Sequence, residues 1–113
     1  MSEGDFRVSV EESAANQVVV GVAGEVDVST APELDGALAE PTKAGKRVVL
    51  DLTHTTFIDS SGLRTLLGAR SAAESSGGSL VLVVSDPGLM RVFEVVGLGD
   101  VLEIHDTLAG ALT

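Results

Sequence analysis

Two hydrophobic patterns alternate along the chain, and their order limits the folds open to it. Short Val- and Leu-rich runs typical of strands are separated by segments in which apolar residues recur at helical spacing. After two opening strands, each helix is followed by a strand, and this order predicts a mostly parallel sheet covered by helices. The opening pair predicts an antiparallel N-terminal edge strand. We therefore expect an α/β fold with a mixed sheet of about five strands and about four helices.

The strands are predicted from their apolar runs. The first alternates apolar and polar residues, as a half-buried edge strand does, whereas the third is almost continuously apolar, as a strand covered on both faces is. The predicted strands cover residues 6–10, 17–23, 47–52, 80–84 and 101–104, and residues 11–16 connect the first two as a hairpin.

The helices are predicted from their end signals. Thr30 and Glu33 have the spacing of a capping box, and Pro41 is expected to end this first helix. The second helix carries an apolar stripe from Leu63 onward. The remaining signals are closure of the second helix at Gly77 and Gly78, a third helix from Asp86 and Pro87 to Gly97, and a last helical turn at residues 108–112.

Size and charge narrow the functional class. The 113 residues fit a single domain, 1–113. Seventeen acidic and seven basic residues give a net charge of −10, which argues against direct binding to nucleic acid or to anionic membranes. The chain has no cysteine, which excludes disulfides, thiol catalysis and Cys-ligated metals. No apolar run approaches the length of a membrane helix and residues 1–5 lack the apolar segment of a secretory signal, so we expect a cytoplasmic protein.

Two polar segments are predicted to meet at one edge of the sheet. Residues 24–27, Gly-Glu-Val-Asp, follow the second strand, and residues 59–62, Asp-Ser-Ser-Gly, precede the second helix. Ligands or partners of such a sheet bind at the carboxyl ends of its strands. Ser61 lies at or next to the first helical turn, where a phosphate is tolerated. The alternative is that Asp59, Ser60 and Ser61 serve only as helix N-cap residues.

Other chemistry fits these residues less well. A nucleophile elbow requires a glycine that Ile58-Asp59-Ser60-Ser61-Gly62 lacks, and His54, in a predicted loop, has no residue to orient it as a base. A phosphate-binding glycine loop is absent. His54 with nearby carboxylates lacks the spacing of a metal site, so we expect no metal and no cofactor.

A receiver-like phosphoaspartate switch at Asp51 remains an alternative. Asp51 ends a buried predicted strand, where such a switch would place its acceptor. That chemistry also needs a late lysine, whereas Lys43 and Lys46, the only lysines, both precede Asp51. The simpler interpretation is a strand-end carboxylate that binds local amides.

An ordered set of motifs resembles the STAS domain, as found in free-standing bacterial anti-sigma factor antagonists. The resemblance spans about residues 6–112. It is carried by residues 24–27 followed by 29–31, by residues 48–52, by residues 57–63, by Gly77 and Gly78 before a Val-rich strand, and by residues 92–98.

The resemblance implies a STAS-type fold and a switch between partners, not an enzyme. Ser61 would be phosphorylated by an anti-sigma factor that acts as a serine kinase, and a PPM-type serine phosphatase would reverse this. The unphosphorylated form would bind the anti-sigma factor and free the sigma factor. The implied partner-binding residues are Asp27, Thr30, Asp59, Ser60, Ser61 and Gly62. A STAS paralogue with a different regulatory partner is the remaining alternative.

The charge distribution adds one expectation about the partner. Asp27, Asp51 and Asp59 are all predicted near strand ends, on a chain whose net charge is −10. We therefore expect the partner's docking surface to be basic.

Overall fold

A computed structural model describes residues 5–112, and within them five strands form one sheet. The strands lie side by side in chain order; β1 is antiparallel to β2, and the other neighbouring pairs are parallel. This confirms the predicted mixed sheet with an antiparallel N-terminal edge strand. The strands are β1 (Arg7–Ala14), β2 (Gln17–Val26), β3 (Arg47–Ile58), β4 (Ser79–Val83) and β5 (Glu103–His105). The expectation that residues 1–5 lack a secretory signal falls mostly on residues 1–4, which lie outside the described residues.

The described residues also form four helices, which pack on the sheet and divide the apolar core into two clusters. The helices are α1 (Ala31–Lys43), α2 (Ser60–Ser75), α3 (Pro87–Val95) and α4 (Leu108–Leu112). The larger apolar cluster holds Leu34 of α1, Leu66 of α2 and Phe93 of α3 together with buried strand residues. A second cluster packs Ala111 of α4 against Val81 and its strand neighbours. The sheet is therefore covered by α1, α2 and α3 on one face, and by α4 over part of the other.

β3 is longer than predicted and includes residues 53–58, which were expected to form a loop. Parallel pairing with β2 continues to Val26 opposite Ile58, with one register shift between Gly21 and Ala23 and a second between Gly24 and Glu25. These bulges break the two-residue alternation, so Leu52, Thr55 and Ile58 are the buried positions of this stretch. The predicted loop position of His54 is wrong because backbone pairing continues where the hydrophobic pattern of a strand is lost.

β1 and the connection after it also differ from the prediction. β1 continues to Ala14, and the turn is confined to residues 15 and 16 instead of 11–16. Glu11 and Glu12 pair with Val19 and Val18 of β2 although they are exposed. An edge strand with one uncovered face tolerates such charged residues, so the polar sequence concealed a regular strand.

The first helix does not end at Pro41. Pro41 and Thr42 are buried within α1, which continues to Lys43. A proline in the last turn removes only one backbone donor. The Thr42 hydroxyl donates a 2.7 Å bond to the Leu38 carbonyl, which adds a local contact in this turn.

Glycine ends α2 as predicted. Gly77 has φ +84°, in the left-handed region, and its N–H donates to the Glu74 carbonyl at 3.2 Å. The Gly78 N–H donates to the Ala73 carbonyl at 2.8 Å. These two bonds form a Schellman motif, which turns the chain directly into β4.

The segment after α3 also differs in part from the prediction. Asp86 caps α3 as expected, because its Oδ2 accepts from the Leu89 N–H at 2.8 Å. The predicted strand at residues 101–104 lies at Glu103–His105 instead. The N–H groups of Val101 and Leu102 donate to the Leu98 carbonyl, and this tight turn holds them out of the sheet.

Candidate functional site

The two polar segments lie side by side where β2 and β3 end. Asp27 follows β2 and Asp59 follows β3. The Asp59 N–H donates to the Val26 carbonyl at 3.1 Å, which fixes the end of one strand against the other. The structure thus brings residues 24–27 and 59–62 together at the carboxyl edge of the sheet.

Asp59 is the N-cap residue of α2. Its Oδ1 accepts from the N–H groups of Ser61 at 2.9 Å and Gly62 at 3.1 Å, and its backbone carbonyl accepts from Leu63 at 2.9 Å. Its backbone is extended, as an N-cap residue requires. The helix therefore begins at Ser60, three residues before the apolar stripe that starts at Leu63.

Neither serine of the motif has this capping role. Ser60 is exposed and Ser61 is half-buried, in the first turn of α2. Neither hydroxyl makes a hydrogen bond to any residue within 5–112. The alternative in which all three residues serve as caps holds for Asp59 alone, and the Ser61 hydroxyl is left open to a partner.

The loop after β2 is held by Asp27 and Thr30. Oδ1 of Asp27 accepts from the N–H groups of Ser29 at 2.9 Å and Thr30 at 3.1 Å. The Thr30 hydroxyl donates to the Glu25 carbonyl at 2.7 Å and accepts from the Asp27 N–H at 2.9 Å. Thr30 is the N-cap residue of α1 as predicted, but the predicted capping-box bond is wrong, because this buried hydroxyl points back into the loop and makes no cap bond to α1. The buried Thr30 side chain therefore fixes the conformation of the loop that carries Asp27.

Gly62 allows α2 to approach the strand ends closely. It is buried, and a Cβ at this position would lie 2.5 Å from Cγ1 of Ile58 and 2.8 Å from Cγ1 of Val26. These distances are shorter than any ordinary carbon contact. Only glycine lets the helix start lie on β2 and β3, and this packing fixes the position of the neighbouring Ser61.

Ser61 opens into a shallow groove between α1 and α2, which we call the serine groove. Its volume is about 450 Å³. Val28, Ala31 and Pro32 line it from the α1 side, and Val28 is 73% exposed. Ser61, Arg64 and Thr65 line it from α2, and Asp35 and Gly68 complete the lining. Sequence reasoning missed Val28 and Arg64; Arg64 was detectable because it lies one helical turn after Ser61.

Asp51 does not join this site. It pairs with Gly21 and Val83 in the middle of the sheet, well before β3 ends at Ile58. Its Oδ1 accepts from the N–H of Thr53 at 3.1 Å and from the Thr53 hydroxyl. The predicted strand-end position is wrong because β3 is longer than expected, although the carboxylate does bind a local amide. The carboxylates at the strand ends are those of Asp27 and Asp59.

No histidine or carboxylate is hydrogen-bonded to the Ser61 hydroxyl within the described range. Across residues 5–112 no group of three or more His, Cys, Asp or Glu side chains is arranged to hold a metal ion. None of the helices there is long and apolar enough to cross a membrane. What the geometry provides is an accessible serine beside acidic loops and an exposed apolar residue.

Comparisons with known proteins agree on one family. Residues 7–111 match the model of the STAS domain. The anti-sigma-B factor antagonist of Listeria monocytogenes is 35% identical over 103 residues, which cover 90% of each chain. The crystal structure of an anti-sigma factor antagonist from Mycobacterium paratuberculosis superposes with a TM-score of 0.85 at 29% identity, over 95% of this chain and 91% of that one.

A further neighbour shares the fold. The Bacillus cell fate determinant SpoIIAA in its phosphorylated form has a TM-score of 0.72 at 23% identity, over 94% of this chain and 96% of that chain. At this identity the likeness is one of architecture.

Proposed function

The chain belongs to the STAS domain family, and on this premise we propose that it is an anti-sigma factor antagonist controlled by phosphorylation of Ser61. The antagonist from Listeria monocytogenes, which matches nearly the whole chain, supports the choice within the family. The observation that carries the proposal is the Ser61 hydroxyl, which has no hydrogen-bond partner within residues 5–112 and faces the serine groove where β2 and β3 end.

The unphosphorylated chain binds its anti-sigma factor through the surface around Ser61. Asp27, Ser60 and Ser61 are at least partly exposed and contact the partner, together with the apolar side chain of Val28. Thr30 and Gly62 are buried and act by holding the loop and the helix start in place. Asp59 contributes both ways, because it caps α2 and remains partly exposed. Binding occupies the anti-sigma factor and releases the sigma factor.

Phosphorylation switches this surface by charge. A phosphoryl group adds about −1.5 to −2 charges at neutral pH. It would lie close to the carboxylate of Asp59, which accepts from the Ser61 N–H, on a chain whose net charge is already −10. An unpaired charge at a desolvated interface costs several kcal/mol, so affinity falls without any change in fold. The phosphorylated form of the Bacillus neighbour supports the modification itself, because a protein of this architecture carries one.

The proposed partners follow from the same scheme. The anti-sigma factor is itself the serine kinase and a PPM-type phosphatase removes the phosphate, all within the cytoplasm. The chain acts as a binding module, in keeping with the antagonist names of the relatives that it matches. Its acidity keeps it off nucleic acid, although the pathway ends in transcription.

Mass spectrometry of the phosphorylated chain isolated from its host tests the proposal. We expect an acid-stable phosphate mapped to Ser61. A phosphate on Ser60, or an acid-labile phosphate on Asp51, would overturn the assignment.

A further inference from the structure

Two amides at the start of α2, those of Ser61 and Gly62, already have an acceptor. Anions at helix N-termini normally accept hydrogen bonds from such N–H groups. Here the N–H groups of Ser61 and Gly62 donate to the Asp59 carboxylate at 2.9 and 3.1 Å. A phosphoryl group on Ser61 would therefore lie beside a carboxylate that has already taken up these two donors. A cationic side chain close to this phosphoryl group would favour its charged form.

Arg64 is the basic side chain placed to do this. It follows Ser61 by three residues on α2, and residues at this spacing have Cβ atoms about 5–6 Å apart on one helix face. Both side chains line the serine groove, and no other lining residue is basic. Arg64 is exposed and forms no hydrogen bond or ion pair with any residue in the described range. Its guanidinium is therefore available.

Asp35 places an opposing charge in the same groove. It is an exposed residue of α1, across the groove from Arg64, and no ion pair joins the two side chains. Asp35 disfavours a second negative charge in the groove and Arg64 favours it. The two residues thus make opposite and separately testable contributions.

We propose that Arg64 binds the phosphoryl group of phosphorylated Ser61 and holds it in the serine groove. This rests on the proposed modification of Ser61, but it adds a positioning residue that the family scheme does not supply. A guanidinium presents two parallel N–H donors to two phosphate oxygens, which gives the pair a defined geometry. The phosphate would then lie over Val28 and Pro32, the apolar part of the surface proposed to receive the partner.

The experiment uses the full chain with phosphoserine inserted at position 61 during translation, so neither kinase nor partner is needed. The second ionisation of the phosphate, ordinarily near pKa 6, is followed by phosphorus NMR during a pH titration. The variants are Arg64→Ala, Arg64→Lys and Asp35→Asn. The control is Arg91→Ala, which removes an exposed arginine of α3 that forms no hydrogen bond or ion pair with any described residue and lies outside the groove.

We expect Arg64→Ala to raise this phosphate pKa by roughly 0.3–1 unit, because the charged form loses its cation. Asp35→Asn should lower it, Arg64→Lys should retain part of the effect, and Arg91→Ala should match the unsubstituted chain. An unchanged pKa in Arg64→Ala would overturn the proposal. Because the phosphate is installed directly, that result is independent of whether a kinase acts on Ser61 or an anti-sigma factor binds.

Discussion

The N–H of Asp59 donates a hydrogen bond to the carbonyl of Val26 at 3.1 Å, and this bond joins the ends of β2 and β3. The same aspartate accepts from the N–H of Ser61 through its side chain. Ser61 is therefore fixed to the sheet through one residue that is bound on both sides. A serine held in this way changes the charge of the surface when modified, while the fold beneath it can stay the same.

The cap on α2 predicts a specific stability loss. Asp59→Ala removes the acceptor for the N–H groups of Ser61 and Gly62, and we expect it to lower the free energy of unfolding by about 1 kcal/mol. Asp59→Asn keeps an oxygen acceptor and should lose less. Urea unfolding measures both. Equal stability of Asp59→Ala and the unsubstituted chain would contradict the capping role.

Close packing at Gly62 predicts a contrast between two glycines of α2. Gly62→Ala places a methyl group 2.5 Å from Ile58 Cγ1, and overpacking of this kind should lower stability by about 1–3 kcal/mol. Gly68→Ala is the matched control, because nothing lies within 4 Å of its added Cβ. Its better helix propensity should raise stability by up to about 1 kcal/mol. Thermal melts should move in opposite directions; a shared direction would refute the packing argument.

The buried hydroxyl of Thr30 predicts another contrast. Thr30→Val leaves the Asp27 N–H and the Glu25 carbonyl without this partner, and we expect a loss of about 1–3 kcal/mol. Thr42→Val also removes a buried hydroxyl, but the Leu38 carbonyl that it bonds lies within α1 and keeps its helical partner. The second loss should be smaller. Chemical denaturation of both variants decides this, and a larger loss for Thr42→Val would count against the role assigned to Thr30.

The acidic docking surface predicts a salt-sensitive complex. If Asp27 and Asp59 face a basic partner, the affinity for the anti-sigma factor should fall as salt rises from about 0.05 to 0.5 M, because screening weakens exposed charge pairs. Calorimetry at several salt concentrations measures it. Affinity that stays level or increases with salt would rule out a basic docking surface.

The hydrophobic pattern was sufficient for the architecture but not for the site. Strands buried on both faces and glycine-closed helices, such as the one that ends at Gly77, follow from local chemistry. The second half of β3 does not, because two bulges destroy its alternation and only its pairing with β2 keeps it extended. Because β3 is longer than predicted, His54 lies in a strand instead of a loop, and Asp51 lies within the sheet instead of at a strand end. A short stretch of sequence around His54 or Asp51 contains nothing that would have predicted either position.

The directions of side chains also could not be predicted from the sequence. Thr30 has the spacing of a capping residue, yet its hydroxyl bonds backward to Glu25 because the tight loop after β2 offers it nearer partners. The serine groove depends on how α1 lies beside α2, which no periodicity reveals. Asp59 was one of three candidate caps, and only the backbone geometry distinguished it from Ser60 and Ser61.

Binding of two Ser61 variants to the purified cognate anti-sigma factor tests the phosphorylation switch most directly. Ser61→Ala should bind as tightly as the unphosphorylated chain. Ser61→Asp should bind at least about tenfold more weakly, because it brings a charge into the interface. Ser71→Asp, the same change at an exposed position later in α2, is the control and should bind normally. If Ser61→Asp stays folded and binds as tightly as Ser61→Ala, the charge of residue 61 does not control the complex.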